Sequence, residues 1–127
     1  VVVDDDASTV LLLQRTLEKT GCRVSVAYDG VSALDLIRRE VPSLVILDLI
    51  LPGLSGFDVV ASMRKDPALR AIPVVILTGH QPSAAERAAL NGQVKRLLMK
   101  ESLALQNLFQ ELTALGLAPK GLPGGPA

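Results

Sequence analysis

Five polar side chains stand at the ends of apolar runs in this sequence: Asp4, Asp5, Asp48, Thr78 and Lys100. A run that is apolar at every position has no polar face, which favours a strand covered on both sides. Carboxylates bind hard divalent cations, and a hydroxyl and an ammonium suit phosphoryl oxygens. A carboxylate is also a competent nucleophile toward phosphorus. The set therefore predicts a cation-dependent site that takes a phosphoryl group onto an aspartate.

The three acidic residues require a cation if they meet in one crevice, because neighbouring carboxylates repel one another. The donors are hard oxygens, and no histidine or cysteine stands at metal-ligand spacing, which favours Mg²⁺ over zinc. We assign Asp48 as the phosphoacceptor because it stands alone after its apolar run. Asp5 and Asp48 are predicted as direct metal ligands and Asp4 as a ligand through water. Asp6 is predicted to be a solvated helix N-cap.

Each of these residues also has a purely structural interpretation. Asp48 could cap a strand or start a turn, Thr78 before Gly79 could be a turn residue, and Lys100 could form a surface ion pair of little energetic value. The joint pattern favours the functional interpretation, since several predicted strands end in groups that one chemistry requires.

Strand and helix patterns alternate along the chain. Strands are predicted at 1–3, 22–28, 44–47, 73–78 and 96–100, and helices at 10–20, 31–40, 57–65, 83–90 and 105–115. Short connections and buried strands predict an α/β fold with a doubly wound, five-stranded parallel sheet. In the flavodoxin-like (βα)5 order 2-1-3-4-5, the first and third strands are neighbours. Asp4, Asp5 and Asp48 then meet at one sheet edge, with Thr78 and Lys100 beside them.

Composition limits the functional classes. The 127 residues have a formal net charge of zero and 2% aromatic residues, so neither a basic stripe nor stacking aromatics indicate contact with nucleic acid. No apolar run approaches the ~20 residues of a membrane span. One cysteine and no signal peptide predict a cytoplasmic protein. Residues 1–115 are predicted to form one domain, and 116–127, rich in Gly and Pro, a linker or tail.

The motifs resemble those of the receiver domain of bacterial two-component response regulators, the CheY-like family. They occur in the family's order: Val3-Asp4-Asp5, Leu47-Asp48, Leu51-Pro52-Gly53, Leu77-Thr78 and Met99-Lys100. The resemblance covers residues 1 to 115. It implies a signalling module rather than an enzyme with an external substrate.

The resemblance also implies a mechanism and partners. A histidine kinase or phosphotransfer domain would pass a phosphoryl group to Asp48 in the presence of Mg²⁺, whose coordination the backbone carbonyl of Ile50 would complete. Phosphorylation would draw the Thr78 hydroxyl inward and repack the face formed by helix 4, strand 5 and helix 5. That face would also serve a homodimer. An output or kinase domain covalently linked to this one fits the family as well.

Three residues depart from the family pattern. Leu97 replaces the switch aromatic on the fifth strand, Glu101 replaces a proline after the lysine, and Gly79 replaces a common alanine. Leu97 and Glu101 keep an alternative open, a degenerate receiver that acts as a phosphorylation-independent interaction domain.

Two other classes fit the sequence less well. A haloacid-dehalogenase-like phosphatase needs a general acid where this chain has Ile50. A flavodoxin-like FMN binder needs a hydroxyl-rich loop, and not three acids, after the first strand.

Overall fold

The computed structural model describes residues 1–19, 21, 23–100 and 110. In chain order, its elements are β1 (Val2–Val3), α1 (Ala7–Glu18), β2 (Val26–Ala27), α2 (Gly30–Glu40), β3 (Val45–Leu47), α3 (Gly56–Lys65), β4 (Val74–Thr78), α4 (Ala84–Leu90) and β5 (Arg96–Met99).

The strands form one parallel sheet in the order β2-β1-β3-β4-β5. This confirms the predicted flavodoxin-like α/β fold with its adjacent first and third strands. Val3 pairs with Leu47 in the β1–β3 ladder, and Leu47 pairs with Ile76 in the next. The carboxyl ends of these strands therefore lie at one edge of the sheet.

The central strands are buried on both faces, as their apolar runs predict. Alternate residues of β3 and β4 enter two different core clusters: Val45, Leu47, Val74 and Ile76 join one, and Ile46, Val75 and Leu77 join the other. Side chains of successive strand residues point to opposite faces, so each cluster fills one side of the sheet. None of the described helices is long and apolar enough to cross a membrane.

Polar residues fix the beginnings of the helices. Asp6, Asp29, Ser55 and Ser83 are the N-caps of α1 to α4, and each side chain accepts a hydrogen bond from a backbone N–H of the first turn. Asp6 is exposed and caps α1, which confirms its predicted structural role. The predicted start of α1 at residue 10 is wrong, since the helix begins at Ala7. Ala7, Ser8 and Thr9 precede Val10, the first buried apolar residue of the helix, so hydrophobic periodicity could not mark them.

The second strand is shorter than predicted. Only Val26 and Ala27 pair with β1, because β1 itself contributes only Val2 and Val3 to the ladder. The predicted fifth helix at 105–115, apart from Gln110, and the predicted linker at 116–127 lie outside the described residues. Glu101 lies outside them too.

Candidate functional site

The structure brings the predicted polar residues together at the carboxyl edge of the sheet. Asp4 follows β1, Asp48 follows β3, Thr78 ends β4 and Lys100 follows β5. Asp4, Asp48 and Thr78 are buried, with 2%, 6% and 0% of their surface exposed. Carboxylates are rarely buried unless they are paired, so the burial of two of them at one edge indicates a functional site.

Lys100 pairs with both buried carboxylates. Its Nζ lies 2.5 Å from Oδ2 of Asp4 and 3.1 Å from Oδ2 of Asp48. Burial alone would lower the pKa of Lys100, but the hydrogen bonds and the negative charges of both aspartates outweigh it and raise that pKa. Lys100 is therefore a fixed positive charge between the two strand ends. Sequence patterns predicted its place at this edge but not its contact with Asp4.

Asp4 has both carboxylate oxygens engaged. Its Oδ1 accepts a hydrogen bond from the backbone N–H of Asp6 at 2.9 Å, and its Oδ2 pairs with Lys100. Burial is the main cause that raises the pKa of Asp4, and the charge of Asp48 adds to it, while Lys100 and the Asp6 N–H act against it. By contrast, Asp5 next to it is exposed.

The acidic residues are placed as a cation site requires. One carboxylate oxygen from each of Asp4, Asp5 and Asp48 lies within 4.8 Å of the others. All the donors are carboxylates, which fit Mg²⁺ or Ca²⁺ and do not favour zinc. Ile50 lies two residues after Asp48, and its N–H donates to Oδ1 of Asp48 at 3.4 Å. The donor set fits a hard divalent cation.

Thr78 faces a second network that sequence reasoning missed. Its Oγ accepts a hydrogen bond from the backbone N–H of His80 at 3.1 Å. The His80 ring in turn contacts α4, since its Nε2 lies 3.2 Å from Oε1 of Glu86. Glu86 also closes a capping box with Ser83 at the start of α4. The Ser-x-x-Glu pattern was the available signal, and it connects the end of β4 to α4.

Leu97 on β5 is half-buried and packs against the core. It lines a groove of about 550 Å³ between α4 and β5, together with Leu90, Val94 and Arg87 among other residues.

Comparison with known proteins gives consistent results. The sequence model of the response regulator receiver domain matches residues 1–113. Response regulator PleD of Caulobacter vibrioides is 41% identical over 78 residues, which cover 61% of this chain and 17% of PleD. An uncharacterized 14.6 kDa protein of Leptolyngbya boryana is 34% identical over 113 residues, 87% of this chain and 86% of that protein.

A solved structure agrees with the sequence comparisons. The N-terminal domain of a response regulator receiver protein from Methanoculleus marisnigri superimposes with a TM-score of 0.72 at 27% identity, covering 94% of this chain and 95% of that one. The region that matches this chain makes up 17% of the length of PleD but 86% of the length of the Leptolyngbya protein.

Proposed function

Because this chain belongs to the response regulator receiver domain family, we propose that it accepts a phosphoryl group on Asp48 from a histidine kinase or a phosphotransfer domain. The observation that carries the proposal is Lys100, whose Nζ bridges the buried carboxylates of Asp4 and Asp48 beside a third acidic residue. An arrangement that served only the fold would not need three carboxylates within reach of one cation.

Asp48 is the proposed phosphoacceptor. One of its carboxylate oxygens attacks the phosphorus of a phosphohistidine, the P–N bond breaks, and the imidazole leaves with a proton from solvent, so an aspartyl-phosphate forms. Lys100 lies 3.1 Å from Oδ2 of Asp48 and is placed to neutralise the charge of the incoming group. Thr78 is buried at the end of β4, the strand next to β3, and its hydroxyl would be available for a phosphoryl oxygen.

Asp5, Asp48 and the backbone carbonyl of Ile50 are the proposed direct ligands of Mg²⁺. Asp4 would act through water, since its two oxygens have closer partners, at 2.9 and 2.5 Å, than those of Asp48, at 3.4 and 3.1 Å. When bound, Mg²⁺ supplies positive charge that offsets repulsion between the carboxylates and the phosphoryl oxygens. The exposure of Asp5 supports its role as the ligand that a cation reaches from solvent.

We propose residues 1–115 as the receiver domain, residues 116–127 as a linker or tail, and a cytoplasmic location. The family match over residues 1–113 supports this boundary.

MprA of a Mycobacterium species is nearly twice as long as the matched region, which covers 55% of it. That supports a covalently linked further domain. We also propose a homodimer through the face formed by α4, β5 and the predicted fifth helix.

Intact mass after incubation with acetyl phosphate tests the proposal. We expect a gain of one phosphoryl group that requires Mg²⁺ and is reversed by base. Asp48→Asn should abolish the gain, while Asp35→Asn, at an exposed position of α2, should retain it. Phosphorylation of Asp48→Asn to the wild-type level would refute the assignment of Asp48. Absence of any gain in a wild-type protein that binds Mg²⁺ would instead favour a phosphorylation-independent interaction domain.

A further inference from the structure

Two helices in the described part of the chain begin with a glycine, Gly30 in α2 and Gly56 in α3. Apart from proline, glycine is the residue that least favours a helix. Helix propensity therefore does not explain these two positions. Both glycines are buried, and both contact the β3–α3 loop, which comprises residues 48–55.

Gly56 lies against the backbone of the proposed phosphoacceptor. A Cβ at this position would stand 2.2 Å from the carbonyl oxygen of Asp48 and 2.8 Å from Cα of Leu49. The N–H of Gly56 donates to the carbonyl oxygen of Leu49 at 2.9 Å. On the other side, the N–H of Asp48 donates to the carbonyl oxygen of Val3 at 3.0 Å. The backbone of Asp48 is therefore fixed between β1 and the first turn of α3.

Gly30 holds the far end of the same loop. Its Cβ would stand 1.8 Å from the carbonyl oxygen of Leu54 and 2.7 Å from Cβ of that residue. These are backbone and near-backbone atoms, so no side-chain rotation could make room for a methyl group. The side chain of Leu54 is half-buried and packs against the core. A larger residue at position 30 would have to displace the loop.

We infer that Gly30 and Gly56 are positioning residues for the cation site. They hold the β3–α3 loop between the first turns of two helices, and they thereby fix Asp48 and the backbone of Ile50 relative to the other two carboxylates. Neither glycine touches the cation or the phosphoryl group. This inference rests on the proposed function, because it takes the loop to carry two of the Mg²⁺ ligands.

Titration calorimetry with Mg²⁺ alone tests the inference. We expect Gly30→Ala and Gly56→Ala to bind Mg²⁺ at least ~10-fold more weakly than the wild type, as is typical when the support of a metal ligand is disturbed. Gly79→Ala is the matched control beside Thr78. Its Cβ would meet Cδ of Lys100 at 4.0 Å, an ordinary contact, so its affinity should stay within about twofold of the wild type.

A weaker binding of Mg²⁺ could result from a less stable protein or from a displaced β3–α3 loop, and a further variant separates the two causes. Leu69→Ala removes a core side chain that is 1% exposed and lies beyond α3, outside the loop. It should lower stability in urea without weakening Mg²⁺ binding in the folded protein. Leu54→Ala should loosen the loop without a steric clash and weaken binding severalfold, and it decides the question if Gly56→Ala does not fold.

The outcomes distinguish the two proposals. A wild-type protein that binds no Mg²⁺ would refute the proposed cation site itself. If the wild type binds Mg²⁺ and both Gly30→Ala and Leu54→Ala bind it equally well, the positioning role is overturned and the proposed function stands. Equal weakening by Leu69→Ala would also overturn that role, because the effect would then follow stability and not the loop.

Discussion

Replacing Asp48 with asparagine should stabilise the metal-free protein. One oxygen of Asp48 lies within 4.8 Å of oxygens of both Asp4 and Asp5. At an effective dielectric constant of about 20, each such repulsion amounts to roughly 3.5 kcal/mol. The attraction to Lys100 across 3.1 Å amounts to about 5 kcal/mol on the same scale. The two repulsive energies of Asp48 together exceed its one attractive energy, so removing its charge should stabilise the protein.

The expected gain is smaller than this Coulomb difference. Asp5 is exposed, so solvent screens its repulsion. The asparagine amide keeps the shape of the side chain, but its single oxygen can accept from only one of the two donors, Lys100 and the N–H of Ile50, which bind different oxygens of Asp48. We therefore expect Asp48→Asn to raise the free energy of unfolding by about 1 kcal/mol in buffer without divalent cations.

Urea unfolding with EDTA and with saturating Mg²⁺ measures both consequences. Binding at 100 times Kd stabilises a folded protein by about 2.7 kcal/mol. The wild type should show a gain of this order with Mg²⁺, and Asp48→Asn should lose most of it. Asp35→Asn, an exposed Asp-to-Asn change on α2, should differ from the wild type by less than about 0.5 kcal/mol. A metal-free Asp48→Asn protein less stable than the wild type would refute the electrostatic reasoning.

Three further predictions concern the stability of the fold. Arg64 donates to the carbonyl oxygens of Gln93 (2.6 and 2.9 Å), Arg70 (2.6 Å) and Ile72 (3.2 Å). A lysine cannot reproduce this fork, so Arg64→Lys should cost about 1–3 kcal/mol in urea unfolding; an unchanged midpoint would contradict this. Val41 has φ 44° and is 51% exposed, so Val41→Gly should relieve strain and raise the free energy of unfolding by about 0.5–1 kcal/mol, whereas Val31→Gly, at another exposed valine, should not. Hydrogen bonds from the backbone and side chain of Ser32 hold the pKa of Asp29 below its ordinary value. The ionised carboxylate of Asp29 therefore stabilises the fold above about pH 4, and this contribution is lost as the pH falls through the pKa of Asp29 in the folded protein. Asp29→Asn should accordingly flatten the decline in the free energy of unfolding between about pH 5 and 3.

The fold could be predicted from the sequence because its signals are local. The runs before Asp48 and Thr78 are apolar at every position, which fits strands buried on both faces. The N-caps and the Asp66-Pro67 step mark the helix ends. The length of β2 could not be predicted, because it depends on how many residues β1 offers for pairing and not on the residues of β2 themselves.

The sequence could predict at which edge of the sheet the site lies, but not which atoms contact one another there. Sheet order alone brings Asp4, Asp48 and Lys100 to the same place. Which oxygen each group engages depends on three-dimensional detail, such as the Asp6 N–H that occupies Oδ1 of Asp4. The same holds for the His80–Glu86 pair, which joins residues on a loop and a helix.

Without a cation the charges of the site are only partly neutralised, and we therefore expect the surrounding backbone to hold its carboxylates in place. Lys100 brings one positive charge to three carboxylates. The remaining repulsion tends to push the β3–α3 loop away from β1, and backbone contacts must resist it. The hydrogen bond from Asp48 to Val3 and the close approach of Gly56 are such contacts. A loop held in this way keeps Asp48 beside Asp4 and Asp5 before a cation arrives, so a cation that binds does not have to order the three carboxylates. Loosening the loop should therefore cost Mg²⁺ affinity even where it relieves repulsion and stabilises the metal-free protein.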